Sequence, residues 1–309
     1  MKRHARELAV TGALAVLLLA LAIFAPGFYQ PQPLLALATR EAPVLLVACG
    51  MTVVMIARQI DISVGSLFSV CSVGAGLLAA GNCPFALVVA AAIAMGAVGG
   101  ALNGLLVAVL GLPAIVVTLA TMVALRQGLN LVRQGRFVDL PEGLQWFGLG
   151  QTTGMVLLVG FALATVVGLA LGLRHLAAGR HVYALGSDAE AARLAGIRPR
   201  LVTWLVFVFA GALTGLAAML NVVQSPQVQP LAGLGLELKV IAAVVVGGVA
   251  VSGGRGTPWG TLSGLMLLAC IAPALTHLRI EAHWEKAIQG AIILVAVLGD
   301  GLRRRRRAG

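Results

Sequence analysis

Apolar runs recur along the chain, separated by short polar or charged stretches. A helix needs about 20 mostly apolar residues to cross roughly 30 Å of hydrocarbon. On that measure the pattern predicts ten spans, at 8–25, 42–57, 62–80, 85–110, 113–132, 153–173, 201–223, 237–252, 258–278 and 286–299. The stretches 8–25 and 153–173 hold no charged residue. The second span is short, because Arg40 and Glu41 precede it and Arg58 follows, and the third begins almost at once through Gln59 and Asp61. Expected from this is an all-α, polytopic helical membrane protein with about ten transmembrane helices in a single domain over 1–309. The first run has a second reading as a cleaved secretory leader, since Lys2, Arg3 and Arg6 precede it. Its length, and the lack of a clear Ala-x-Ala site followed by a soluble domain, favour a retained span.

Composition agrees with the pattern. Of 309 residues 60% are hydrophobic and 11% charged, whereas a soluble domain carries about 25% charged residues. The five His and four Cys lie scattered, with no Cys-x-x-Cys or His-x-x-x-His spacing, so neither a metal site nor a disulfide scaffold is expected. Thirty-nine glycines recur in part four apart, at Gly96/Gly100/Gly104, Gly168/Gly172, Gly211/Gly215 and Gly256/Gly260/Gly264. Small residues so spaced let helix backbones approach each other in lipid. The net charge of +11 follows topology and gives no sign of nucleic acid. Positive charge is retained on the cytoplasmic side, and it clusters at Lys2/Arg3/Arg6, in the loop with Arg174, Arg180, Arg193, Arg198 and Arg200, and at Arg303 to Arg307. The predicted spans number six between the first two clusters and four between the last two, so all three fall on one side. Both termini are then cytoplasmic, with Arg133, Arg136, Asp139 and Glu142 outside. The tail at 302–309 reads as a topological anchor, with binding of anionic head groups as the alternative.

No energy source is built into the chain. A P-loop needs Gly-x-x-x-x-Gly-Lys-Ser/Thr, and none of Lys2, Lys239 or Lys286 has that context. The stretch SGGRGTPWG at 252–260 reads as a turn between spans. Ion coupling calls for carboxylates at membrane depth, and only Asp61, Glu237 and Asp300 stand at span edges. Asp61 is either functional or a helix cap. In the loop at about 174–200, GSDAEAARLAGI (186–197) predicts a short helix. Ser187 and Glu190 form a Ser-x-x-Glu capping box, Arg193 lies toward the end and Gly196 stops it. Such a helix either docks onto a cytoplasmic partner or lies on the surface as a connector. Polar residues inside apolar spans, Ser63, Ser66, Ser69, Asn103, Thr118, Thr121 and Asn221, either bond between helices or face a pathway.

Glu190-Ala191-Ala192-x-x-x-Gly196 resembles the EAA-type loop through which ATP-binding-cassette importer permeases contact their ATPase. GMTVVMIARQIDISVGS (50–66), NGLLVAVLGLPAIVVTLATM (103–122), GRHVYALGSDAEAARLAGI (179–197), GLELKVIAAVVVGGVAVSGGRGTPWGTLSG (235–264) and AIILVAVLGDG (291–301) resemble the sugar-import branch of ribose, xylose, rhamnose and autoinducer permeases. GLELKVIAAVVVGG and LRIEAHW (278–284) are most similar to autoinducer and rhamnose permeases. The resemblance implies a type II-like importer permease of the bacterial inner membrane, with no catalysis and no bound cofactor of its own. It implies a cytoplasmic ATPase that uses ATP and magnesium, a periplasmic sugar-binding protein, and a second copy or paralogue. Gly186, Ser187, Asp188, Glu190, Ala191, Ala192, Arg193 and Gly196 match the ATPase-facing loop, and Asp61, Ser63, Gly65 and Ser66 match the IDxSVGS signature. A pathway through Asp61, Ser63, Ser66, Asn103, Thr118 and Asn221 is the corresponding expectation, with an ion-coupled secondary transporter as the alternative. Ala57-Arg58-Gln59-Ile60 departs from the glycine pair that many relatives carry before Ile-Asp.

Overall fold

The computed structural model describes residues 5–277 and isolated positions between 281 and 294. The predicted span at 286–299, five isolated positions apart, lies outside the described residues, as do Asp300 and the basic tail. Helices dominate: α1 (Ala5–Phe24), α2 (Pro31–Ile56), α3 (Val64–Ala80), α4 (Phe85–Ala108), α5 (Ala114–Arg133), α6 (Gln151–His175), α7 (Ala177–Ser187), α8 (Ala189–Leu194), α9 (Pro199–Val222), α10 (Leu236–Val246), α11 (Pro258–Ala269) and α12 (Ile271–His277). Six helices are long and apolar enough to cross a membrane, those at 31–56, 85–108, 114–133, 151–175, 199–222 and 258–276. Shorter apolar helices cover 10–24 and 64–80.

Two predicted spans need correction. The second begins at Pro31 and not at 42, with Pro residues in its first turn and Pro43 accommodated inside it. Arg40 and Glu41 therefore lie within the helix, and Glu41 is fully buried. The span predicted at 237–252 is instead the 11-residue α10, about 16 Å long at 1.5 Å per residue, which reaches only half-way across the hydrocarbon. The chain ahead of it is non-helical, and Gly233 there is buried with its N–H donated to Ser69 Oγ at 2.9 Å. Irregular backbone at such depth persists only when protein satisfies it or a cavity receives it.

α4 and α9 pack backbone to backbone. A Cβ added at Gly96 would overlap the Gly211 carbonyl, one at Gly211 the Gly96 carbonyl, and one at Gly100 the Phe207 carbonyl. Gly260 and Gly264 likewise set α11 against Ala243 and Gly247 at the end of α10. Gly168 and Gly172, predicted as another seam, meet no other helix among the described residues. Around this frame α2 is the buried centre, with Leu46, Met51, Met55 and Ile56 fully enclosed, and α5 is the most exposed of the six spanning-length helices.

At one end of the bundle, β1 (Val138–Asp139) pairs antiparallel with β2 (Gln227–Val228), Val138 opposite Val228. Leu140 N–H donates to Pro226 O at 3.0 Å and Trp146 N–H to Val223 O at 2.8 Å. The α5–α6 connection is thereby fastened to the α9–α10 connection. α7 and α8 stand at the opposite end.

Candidate coupling surface and membrane polar network

α7 and α8 follow α6 through Leu176, and their base is seated on two other parts of the chain. Gly186 lies against the carbonyl of Ile56 and the N–H of Gly254, so close that no Cβ fits. Gly254 N–H donates to Ile56 O at 2.8 Å, and Tyr183 Oη donates to Gly256 O at 2.7 Å. The loop between α10 and α11, read from sequence as a turn, thus joins the end of α2 to α7.

The capping of α8 differs from the sequence expectation. Asp188, not Ser187, is the N-cap, and its carboxylate accepts from the N–H groups of Glu190 at 2.9 Å and Ala191 at 3.0 Å. α7 runs through Ser187, whose hydroxyl donates back to Tyr183 O at 2.8 Å and is thereby engaged. Glu190 pairs instead with Arg193, at 3.0 Å to Nε and 2.6 Å to Nη2. This contact holds the Glu190 carboxyl below its ordinary value. Gly196 ends the helix as predicted, at φ +82, with Gly196 N–H on Arg193 O and Ile197 N–H on Ala192 O, the Schellman pattern. Ala192 is buried, while Glu190, Ala191, Arg193 and Leu194 are exposed, Leu194 by 76%. An apolar side chain beside a fixed ion pair suits a protein surface better than open water.

The predicted pathway residues converge in part. Asp61 is fully buried, and its Oδ1 accepts from Ser63 N–H at 2.9 Å and Ser63 Oγ at 2.6 Å. Asn103 Nδ2 donates to Ser63 Oγ at 2.8 Å, and Thr121 Oγ1 to Asn103 Oδ1 at 2.7 Å. Ile62 N–H donates to Thr118 Oγ1 at 3.1 Å. One network therefore ties the non-helical entry to α3 to both α4 and α5. Among the described residues, Asp61 Oδ2 and Ser66 Oγ are buried without a hydrogen-bond partner. Asn221 is separate from this network, half-buried near the end of α9.

Sequence reasoning missed two ion pairs that join the first turn of α10 to the interiors of α2 and α5. Lys239 Nζ reaches Glu41 Oε2 at 2.7 Å, and Arg126 Nη2 reaches Glu237 Oε1 at 3.0 Å. Glu237 and Lys239, two apart on α10, thus point to α5 and α2 respectively. The signal was present: a charged residue inside an apolar stretch is costly unless paired, and Arg126 sits within the predicted span 113–132.

A family model described as branched-chain amino acid transport system / permease component matches residues 34–297. The ribose import permease protein RbsC of Escherichia coli strain K12 is 32% identical over 297 residues, covering 94% of this chain and 92% of its own. The autoinducer 2 import system permease protein LsrC of Salmonella typhi is 34% identical over 302 residues, covering 97% and 86%. LsrC of Salmonella typhimurium strain LT2 is 36% identical over 263 residues, covering 84% and 75%. No solved structure matches the chain. With one profile running through nearly every described helix and relatives aligned along most of its length, the chain belongs to this permease family, in the simple-sugar branch of ABC importers.

Proposed function

We propose that the chain is the membrane subunit of an ATP-driven importer for a monosaccharide or sugar-like solute of the rhamnose, autoinducer or pentose class. The chain itself is non-catalytic and binds no cofactor: a separate ATPase hydrolyses ATP with magnesium, and a periplasmic binding protein delivers the solute. Two copies, or this chain with a paralogue, assemble in the bacterial inner membrane, with termini and α7–α8 in the cytoplasm. The whole chain acts as one transmembrane domain.

The observation that carries the reading is the seating of α8. Its exposed face offers Leu194, Glu190 and Arg193, while Gly186 in the last turn of α7, directly ahead of it, abuts Ile56 and Gly254 without intervening side chains. A push on α8 passes directly to α2 and to the loop that ends α10. The network of Asp61, Ser63, Asn103 and Thr118 borders the pathway at that side, with Ser66 next to it and Asn221 toward the other end. The names of the relatives, ribose and autoinducer 2 import permeases, support a sugar-like solute.

The test is reconstitution with candidate ATPase and binding protein. Leu194→Asp, at a position that folding leaves exposed, is expected to abolish co-purification of the ATPase and solute uptake together. One observation favours a second reading: a buried carboxylate oxygen without a partner at Asp61 suits an ion-coupled carrier. Uphill uptake by the purified chain alone under an ion gradient would establish that carrier and overturn the importer.

A further inference from the structure

A cavity of about 600 Å³ opens on the α7–α8 side between the end of α6 and the start of α11. Arg174 and Arg255 line it, with Tyr183 and Trp259. Both arginines are exposed and have no acidic partner among the described residues. Above it, Leu163, Val167 and Leu171 stand exposed four residues apart on α6, a spacing that puts them on one helix face leading down to Arg174. Trp259 is also exposed, as is usual where helices meet the membrane interface.

We propose that this cavity binds the phosphate head group of an anionic phospholipid, with an acyl chain laid along the Leu163–Val167–Leu171 face. Guanidinium groups pair with phosphate through two parallel hydrogen bonds. Basic pockets between transmembrane helices are a recurrent form of head-group site. The apolar track favours a lipid over a free phosphate, which has no use for it. Because α11 starts at this cavity and Tyr183 ties α7 to Gly256, a bound head group would brace the junction through which α8 acts. Head-group binding rests only on α6 crossing the bilayer, and not on the solute or on the ATPase; the bracing alone rests on the proposed action of α8.

Tryptophan quenching by brominated-chain lipids in mixed micelles of the full chain tests it, with the Trp259 signal isolated by difference against Trp259→Phe. Brominated phosphatidylglycerol is expected to half-saturate at a mole fraction at least about fivefold lower than brominated phosphatidylcholine, about 1 kcal/mol per basic residue being available near a membrane surface. That gap should vanish with Arg174→Gln plus Arg255→Gln and persist with Arg174→Lys plus Arg255→Lys. Equal quenching by the two lipids, or a gap that survives the glutamine pair, overturns the proposal. Inorganic phosphate closing the gap, where chloride of equal ionic strength does not, overturns it in favour of a soluble phosphate.

Discussion

Arg58 occupies φ +65 just beyond α2, with its N–H on Met55 O and Gln59 N–H on Val54 O. This is a Schellman stop, of the kind that also ends α3 at Asn82 and α10 at Gly248, built with arginine where Gly196 serves α8. An L-residue in the left-handed region costs roughly 1–2 kcal/mol relative to the right-handed one, and glycine escapes that cost. Arg58→Gly is therefore expected to raise the thermal midpoint of the detergent-purified protein, by the equivalent of roughly 0.5–1 kcal/mol after the lost backbone restraint of arginine is set against it. The departure from the glycine pair was legible in the chain. Its meaning was not, because a left-handed stop is defined only once the helix end is placed. The same limit explains Ser187. Serine and aspartate side by side both cap well, and only the continuation of α7 through Ser187 assigns the task to Asp188. Asp188→Ala should cost roughly 1 kcal/mol and weaken retention of the ATPase on an affinity column, whereas Ser187→Ala should leave that retention intact.

At the level of elements, α10 is a half-length helix fastened on two sides, to α2 by Lys239–Glu41 and to α5 by Arg126–Glu237. Removing one partner of a buried pair leaves the other charge uncompensated, at about 3–5 kcal/mol. Glu41→Gln is expected to lower the midpoint of thermal unfolding strongly, toward the lower figure because Lys239 keeps some exposure. Exchanging the charges, Glu41→Lys with Lys239→Glu, should recover part of the loss, limited by Arg40, whose Nε lies 3.4 Å from Glu41 Oε1. Periodicity revealed the long helices because their apolar runs are local. It could not reveal these fasteners, whose partners lie 198 and 111 positions apart. It also overextended α10, since an apolar run looks alike whether it ends in a full crossing or, as at Gly247–Gly248, in a turn. α8 was legible for the opposite reason: its stop and its charges fall within twelve residues, although its cap was read one position early, at Ser187 and not Asp188.

For the whole molecule, the two ends differ in kind, one fastened by β1–β2 and the other carrying α7–α8. In a background with Cys83→Ser, a membrane-impermeant maleimide added to intact cells is expected to label Asn82→Cys, beside the hairpin end, and to spare Leu194→Cys. Inverted vesicles should give the reverse. Labelling of Leu194→Cys in intact cells would invert the topology and sink the ATPase assignment. Gly96, Gly100 and Gly211 leave α4 and α9 nothing between their backbones that could change rotamer. Sliding one past the other would drive a Cβ-bearing residue into a facing carbonyl, so this couple is expected to travel as a single strut. Spin labels at Leu102 and Leu205, both surface-exposed, should accordingly report one unchanging separation in resting and ATP-trapped assemblies. The hinge then falls to helices held by side chains instead, α5 first among them.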